Sequence, residues 1–158
     1  TAAGNEARPA DFAFPGNCGA SLNVSAVGPN GDITPYSDYG TFIDVAAPGG
    51  DYKQAALAPL GSNGGITTTS NTGKKTYDAP GYVSVEGTSF AAPLVAGVVA
   101  LMYSLRPSLT TAQVESIIKA TVTPFASGTS CSHQTPDTSC GAGIINADAA
   151  IDAVVALQ

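Results

Sequence analysis

The sequence predicts an α/β fold, and three observations carry that prediction. Short apolar runs near the N-terminus stop at turn signals. A long apolar helix pattern occupies the middle, and two capped helices follow it.

The chain has 158 residues, 44% hydrophobic and only 11% charged, with 18 Gly and 11 Pro. That length suits one domain, and the composition is that of a compact, loop-rich, secreted globular protein rather than a disordered one. A net charge of −6 with six Lys and Arg argues against nucleic acid or an anionic membrane surface as partner. The longest apolar stretch, Leu94 to Leu105, is interrupted by small and polar residues and reads as a core helix, not a membrane span.

The opening residues, Thr1-Ala2-Ala3-Gly4-Asn5-Glu6, read as the end of a buried strand running into a loop, which suits a processed or truncated product. Residues 19–31 alternate around Leu22, Val24, Ala26 and Gly28 and end in the turn signal Pro29-Asn30-Gly31-Asp32. A second short run, Phe42 to Ala47, stops at Pro48-Gly49-Gly50. Residues 51–80 are rich in Gly, Ser, Thr and Asn and predict a surface loop carrying a β-ribbon, with arms at Ile66 to Thr69 and Tyr82 to Val85.

The first helix is predicted from about Ser89 to Leu105. It is apolar nearly all round, so burial in a larger core is expected, with some distortion at Pro93. Thr110 with Gln113 three residues on is a capping box, flanked by Leu109 and Val114 as a hydrophobic staple; that helix offers Val114, Ile117 and Ile118 to the core. Asn146 caps the third helix, which should bury Ile151, Val154 and Val155.

Cys131 and Cys140 bracket a short polar loop and suit a local disulfide; with one histidine between them they make a poor zinc site. Cys18 is left over, so a partner elsewhere is expected, in a segment before Thr1. Asn23-Val24-Ser25 fits the N-glycosylation pattern but sits in an apolar strand, where it should be silent.

The chemistry centres on Gly87-Thr88-Ser89-Phe90-Ala91. It puts a serine hydroxyl at the mouth of an apolar helix, where unpaired N–H groups and the positive dipole end favour an oxyanion. Together with Pro93-x-Val95-Ala96-Gly97, this run resembles the nucleophile segment of the subtilisin-like serine proteases. Three more segments match in order. Ala2-Ala3-Gly4-Asn5 resembles the family's oxyanion-asparagine segment. Tyr36-Ser37-Asp38-Tyr39-Gly40 with Asp44-Val45-Ala46-Ala47-Pro48-Gly49 resembles its mid-domain strand and turn. Gly141 to Ala147 resembles the opening of its C-terminal helix.

The resemblance implies the C-terminal part of a three-layer α/β/α subtilisin-like fold with a mostly parallel central sheet, spanning residues 1–158. It implies a secreted endopeptidase in which Ser89 is the nucleophile and Asn5 donates to the oxyanion. Ala2, Ala3, Gly4 and Thr88 would line the substrate site, with room for a large apolar side chain, and Phe14-Pro15 would lie at the base of that pocket. Asp44 is the candidate ligand for a structural calcium ion; no cofactor is expected in the catalysis itself. The family's acid and base precede its asparagine segment in the order Asp, His, Ser. The only histidine, His133, follows Ser89, so the catalytic Asp and His are expected on an N-terminal part of the same protease. The alternatives are an inactive remnant with a binding or structural role, and a lipase or esterase. The latter is disfavoured because Gly-x-Ser-x-Ala lacks the second glycine of the nucleophile elbow.

Overall fold

β-Branched and small side chains make extended segments of Val24–Val27 (β1) and Val45–Pro48 (β2), which are buried along nearly their whole length. They pair in parallel, Val24 opposite Val45 and Val27 opposite Pro48. Continuous burial of this kind suits a parallel sheet covered on both faces. A computed structural model describes residues 1–19, 21–57, 63–133 and 135–157. Ala20 of the first predicted strand, residues 58–62 of the predicted loop and Gln134 between the cysteines lie outside the described residues.

Single bridges widen this pair at both edges. Ala2 pairs in parallel with Val24, and Ile144 in parallel with Ala46; Thr123 then adds to Ile144 antiparallel. The spatial order is therefore Ala2, β1, β2, Ile144, Thr123, a mostly parallel sheet as the sequence predicts.

The predicted ribbon is also present. Ile66–Asn71 (β3) pairs antiparallel with Pro80–Val85 (β4), Ile66 opposite Val85. Its second arm feeds through Glu86 and Gly87 into the longest helix, Thr88–Leu105 (α1).

Thr111–Ala120 (α2) carries the full capping box: the Thr110 hydroxyl accepts from the Gln113 N–H, and the Gln113 side chain accepts from the Thr110 N–H. Ala147–Val155 (α3) is capped by Asn146, whose Oδ1 accepts from the Ala149 N–H at 3.0 Å. All three helices close on the face of the sheet marked by Val24, Ala26, Val45 and Ala47. Val95, Val98 and Met102 of α1, Val114 and Ile118 of α2, and Ala150 and Val154 of α3 form one core there. Each large side chain fully buried in it contributes about 1.5–3 kcal/mol.

Two helix expectations are corrected. Val155 is exposed, and Ala150 takes its place in the core. More important, α1 is not buried all round. Leu94, Leu101 and Leu105 are 44%, 54% and 43% exposed, because the sheet and α3 cover only the side bearing Ala91, Val95, Val98 and Met102. By length and composition α1 would suffice to cross a membrane; here it is a core helix on one side and bare on the other.

On the opposite face of the sheet the Ser25 hydroxyl donates to the Cys140 carbonyl at 2.9 Å. Cys131 and Cys140 form the expected disulfide, and Cys18 carries a free, exposed thiol. Asn23 is buried and gives its amide to the carbonyls of Gly16 and Phe42, so the glycosylation pattern is taken up by structure.

Candidate active site

The carboxyl ends of parallel strands are where α/β sheets bind ligands, and Asn5, Thr88 and Ser89 gather there, whereas Asp44 precedes the amino end of β2. β2 runs out at Gly49, whose carbonyl accepts the N–H of Gly87 at 2.9 Å, bringing the start of α1 to the end of the sheet. Asn5 follows the edge strand through Ala2 and arrives at the same place.

Gly87 has φ +150°, a backbone state that side chains rarely tolerate. A Cβ at Gly87 would lie 3.2 Å from Ser89 Oγ and 3.7 Å from Asn5 Nδ2. The hydroxyl and the carboxamide thus border the same small space, and both residues are exposed to solvent. The glycine keeps that space open.

Asn5 is held by its oxygen. Its Oδ1 accepts both the backbone N–H and the hydroxyl of Thr88, each at 2.9 Å, which leaves Nδ2 as the outward donor. The Thr88 hydroxyl in turn accepts the Gly4 N–H at 3.3 Å. Thr88 is wholly buried, and both its N–H and its hydroxyl hold Asn5. Ala2 sits in the edge pairing, and Ala3 joins a small cluster with Ala10 and Ile43. Phe14 is 83% exposed.

Two residues that sequence reasoning did not single out brace the site. The Tyr36 hydroxyl accepts the Gly87 N–H at 3.0 Å and lies 2.8 and 2.7 Å from the carbonyls of Gly49 and Gly50, to which it can donate. Burial raises the Tyr36 pKa above the ordinary phenol value, with the Gly87 N–H acting against it and the charges of Glu86 and Asp51 adding to it. Asp38 grips the loop after Gly4 through backbone amides. The only sequence signal for either was their place in Tyr36-Ser37-Asp38-Tyr39-Gly40.

The candidate cation ligand does not fit its expected role. Asp44 Oδ1 lies 2.6 Å from Lys119 Nζ, and Oδ2 accepts the Asn23 N–H at 2.7 Å, so both oxygens are already taken. Among the described residues no group of three His, Cys, Asp or Glu side chains is arranged to hold a metal ion. His133 is exposed and ends the turn Ser130–His133, just inside the disulfide-closed loop.

Fold and site together describe an α/β domain in which an exposed serine and a carboxamide share one polar notch at the end of a parallel sheet. The family model described as "Subtilase family" matches residues 1–143, and the chain belongs to that family of serine proteases.

It is 40% identical over 155 residues to the "Extracellular protease" of Xanthomonas campestris pv. campestris, covering 98% of this chain and 23% of that protein. It is 33% identical over 161 residues to the "Extracellular basic protease" of Dichelobacter nodosus, covering 99% of this chain and again 23% of the relative. Among solved structures, a protease from Pseudoalteromonas arctica PAMC 21717 superposes with a TM-score of 0.82 at 40% identity, over 97% of this chain and 41% of that one. A cold-adapted subtilisin-like serine proteinase superposes at 0.62 with 23% identity, over 89% of this chain and 43% of that one, and shows the shared fold. The chain therefore spans about a quarter of the length of the first relatives.

Proposed function

We propose that this chain is the nucleophile-bearing, C-terminal portion of the peptidase domain of an extracellular subtilisin-like endopeptidase. The observation that carries this reading is the approach of Ser89 Oγ and Asn5 Nδ2 to one space beside Gly87. In this mechanism Ser89 Oγ attacks the scissile carbonyl of a protein or peptide. The negative charge that develops on the carbonyl oxygen is met by Asn5 Nδ2 and by the Ser89 N–H at the positive end of α1. Collapse expels the amine and leaves an acyl-enzyme, which water hydrolyses. The proton is handled by a histidine, oriented by an aspartate, on the N-terminal part of the same protease.

Two further observations support the larger assembly. The family resemblance orders Asp and His before the asparagine segment, and α1 has an apolar face that this chain does not cover. On this reading activity needs the segment that bears the Asp and His. The Cys131–Cys140 disulfide and the extracellular relatives favour a secreted protein. Small residues at Ala2, Ala3 and Gly4 favour a large apolar side chain before the cleaved bond.

The test is a fluorophosphonate probe on the full-length protease, followed by peptide mapping. The adduct should fall on Ser89, and S89A should abolish both labelling and peptide cleavage. Undiminished labelling of S89A would overturn the assignment.

A further inference from the structure

The most anomalous side chain near the site is a carboxylate. Asp38 is fully buried, yet its Oδ2 has no hydrogen-bond partner among the described residues. The nearest cationic atom, Arg8 Nε, is 3.9 Å away, at the limit of an ion pair. Burying a charged oxygen without a partner is costly, so the rest of the residue must hold the arrangement in place.

Its amide and its other carboxylate oxygen go to the segment that carries Asn5, while its carbonyl accepts the Ser37 hydroxyl at 3.0 Å. The Asp38 N–H donates to the Gly4 carbonyl at 3.0 Å. Oδ1 accepts the N–H of Glu6 at 3.0 Å and that of Arg8 at 3.1 Å, two charge-assisted bonds. Gly4 packs so tightly on the carboxylate that a Cβ there would lie 2.3 Å from Oδ2. Gly4, at φ +120°, accommodates the contact without a side chain. Asp38 therefore ties down the residues on both sides of Asn5, while Thr88 ties down the Asn5 side chain. The neighbours of Asp38 continue the seam: the Ala7 N–H donates to the Tyr36 carbonyl at 2.9 Å and the Tyr39 N–H to the Arg8 carbonyl at 3.1 Å.

We propose that Asp38 is a positioning residue for catalysis, fixing the backbone around Asn5 so that Nδ2 meets the oxyanion. This rests on the assignment of Asn5 and Ser89 proposed above. Without the Oδ1 clamp, Glu6 and Arg8 lose an acceptor and the Asn5 backbone is released. A donor displaced by about 1 Å from the oxyanion can cost on the order of 100-fold in rate.

A double-mutant cycle in the full-length protease separates positioning from mere structural support. D38A should lower kcat by about 10- to 100-fold with KM changed less than about twofold. In an N5A background the same substitution should cost less than about threefold, because the donor it positions is already gone. D38N keeps one oxygen for both amides and should restore kcat to within about fivefold of the parent. If D38A is not recovered folded, D38S runs the same cycle, since its shorter hydroxyl cannot span both amides. An equal loss in the parent and N5A backgrounds, or an unchanged kcat in D38A, overturns the positioning role. S89A is the control: if S89A stays active, the underlying site assignment falls along with the proposal. If S89A is dead and N5A slow while D38A is unaffected, only the role of Asp38 falls.

Discussion

The Tyr36 hydroxyl accepts the backbone N–H of Gly87 at 3.0 Å, tying the turn before Ser89 to a residue 51 positions earlier in the chain. The same hydroxyl lies within hydrogen-bonding distance of Gly49 and Gly50, so one phenol joins the exit of β2 to the entrance of α1. Y36F removes these bonds but keeps the ring, and Gly87 retains its bond to the Gly49 carbonyl. A loss of about 1 kcal/mol in stability is expected, together with slower fluorophosphonate labelling of Ser89. Thermal unfolding and labelling rates of the full-length protease measure both, and labelling at the parental rate would show that the turn holds without the hydroxyl.

The raised pKa of Tyr36 gives a signed pH dependence. Its cause is burial, which disfavours the phenolate. The neutral form is favoured on folding, so this stabilisation is fully present below the ordinary value of 10.0 and is lost as pH rises through the higher folded value. Y36F should therefore lose less stability than the parent on titration above pH 10. Parallel alkaline limbs for the two proteins, read from midpoints of denaturant unfolding, would contradict this.

Gly87 is the position where a single methyl group should do most harm. G87A forces a side chain into φ +150° and into the space bordered by Ser89 Oγ and Asn5 Nδ2. The backbone strain costs about 1–3 kcal/mol. The loss of labelling should exceed what the stability change explains, since the methyl fills the notch itself. A variant that unfolds earlier but is labelled at the parental rate would place the reacting space elsewhere.

Lys119 bridges Asp44 at 2.6 Å and Glu115 at 2.6 Å. Hydrogen bonds to Asp44 first, and then to Glu115, raise its pKa. The contribution to stability is complete below the ordinary value of 10.5 and disappears as pH climbs through the folded value. K119M should lower the melting temperature at neutral pH, and the gap to the parent should narrow above pH 10.5. A gap that stays constant across that range would mean that packing of the stem, not the ion pair, matters.

Asp32 acts at the other end of the pH scale. Burial alone would raise its pKa, but the N–H groups of Ser130, Ile33 and Cys131 and the Ser130 hydroxyl outweigh that and lower it. The stabilisation is present above 3.8 and is lost as pH falls through the folded value. D32N should therefore melt earlier than the parent at neutral pH and show a shallower acid limb. Superimposed acid limbs would argue that these bonds contribute nothing net.

Local chemistry was legible in the sequence. Thr110 with Gln113, Asn146 before α3 and the ribbon arms around Ile66 and Val85 each declare themselves within a few residues. The serine motif and the Gly-Asn segment also named the two groups that now border one notch. The braces behind them were not legible. Asp38 and Tyr36 act on residues tens of positions away through backbone amides, which leave no side-chain pattern to read. Asp44 looked free to hold a cation because nothing nearby in sequence pointed to Lys119 on α2. The even apolarity of α1 could not say which side this chain covers, since Leu94 and Val95 read alike and only packing separates them.

The bare side of α1 has a practical reach beyond chemistry. Leu94, Leu101 and Leu105 make a greasy ridge in water, and a ridge of that kind drives self-adhesion. Anyone producing these 158 residues as a separate polypeptide should expect clumping and poor yield. Exchanging the three leucines for glutamate would improve the handling of this polypeptide.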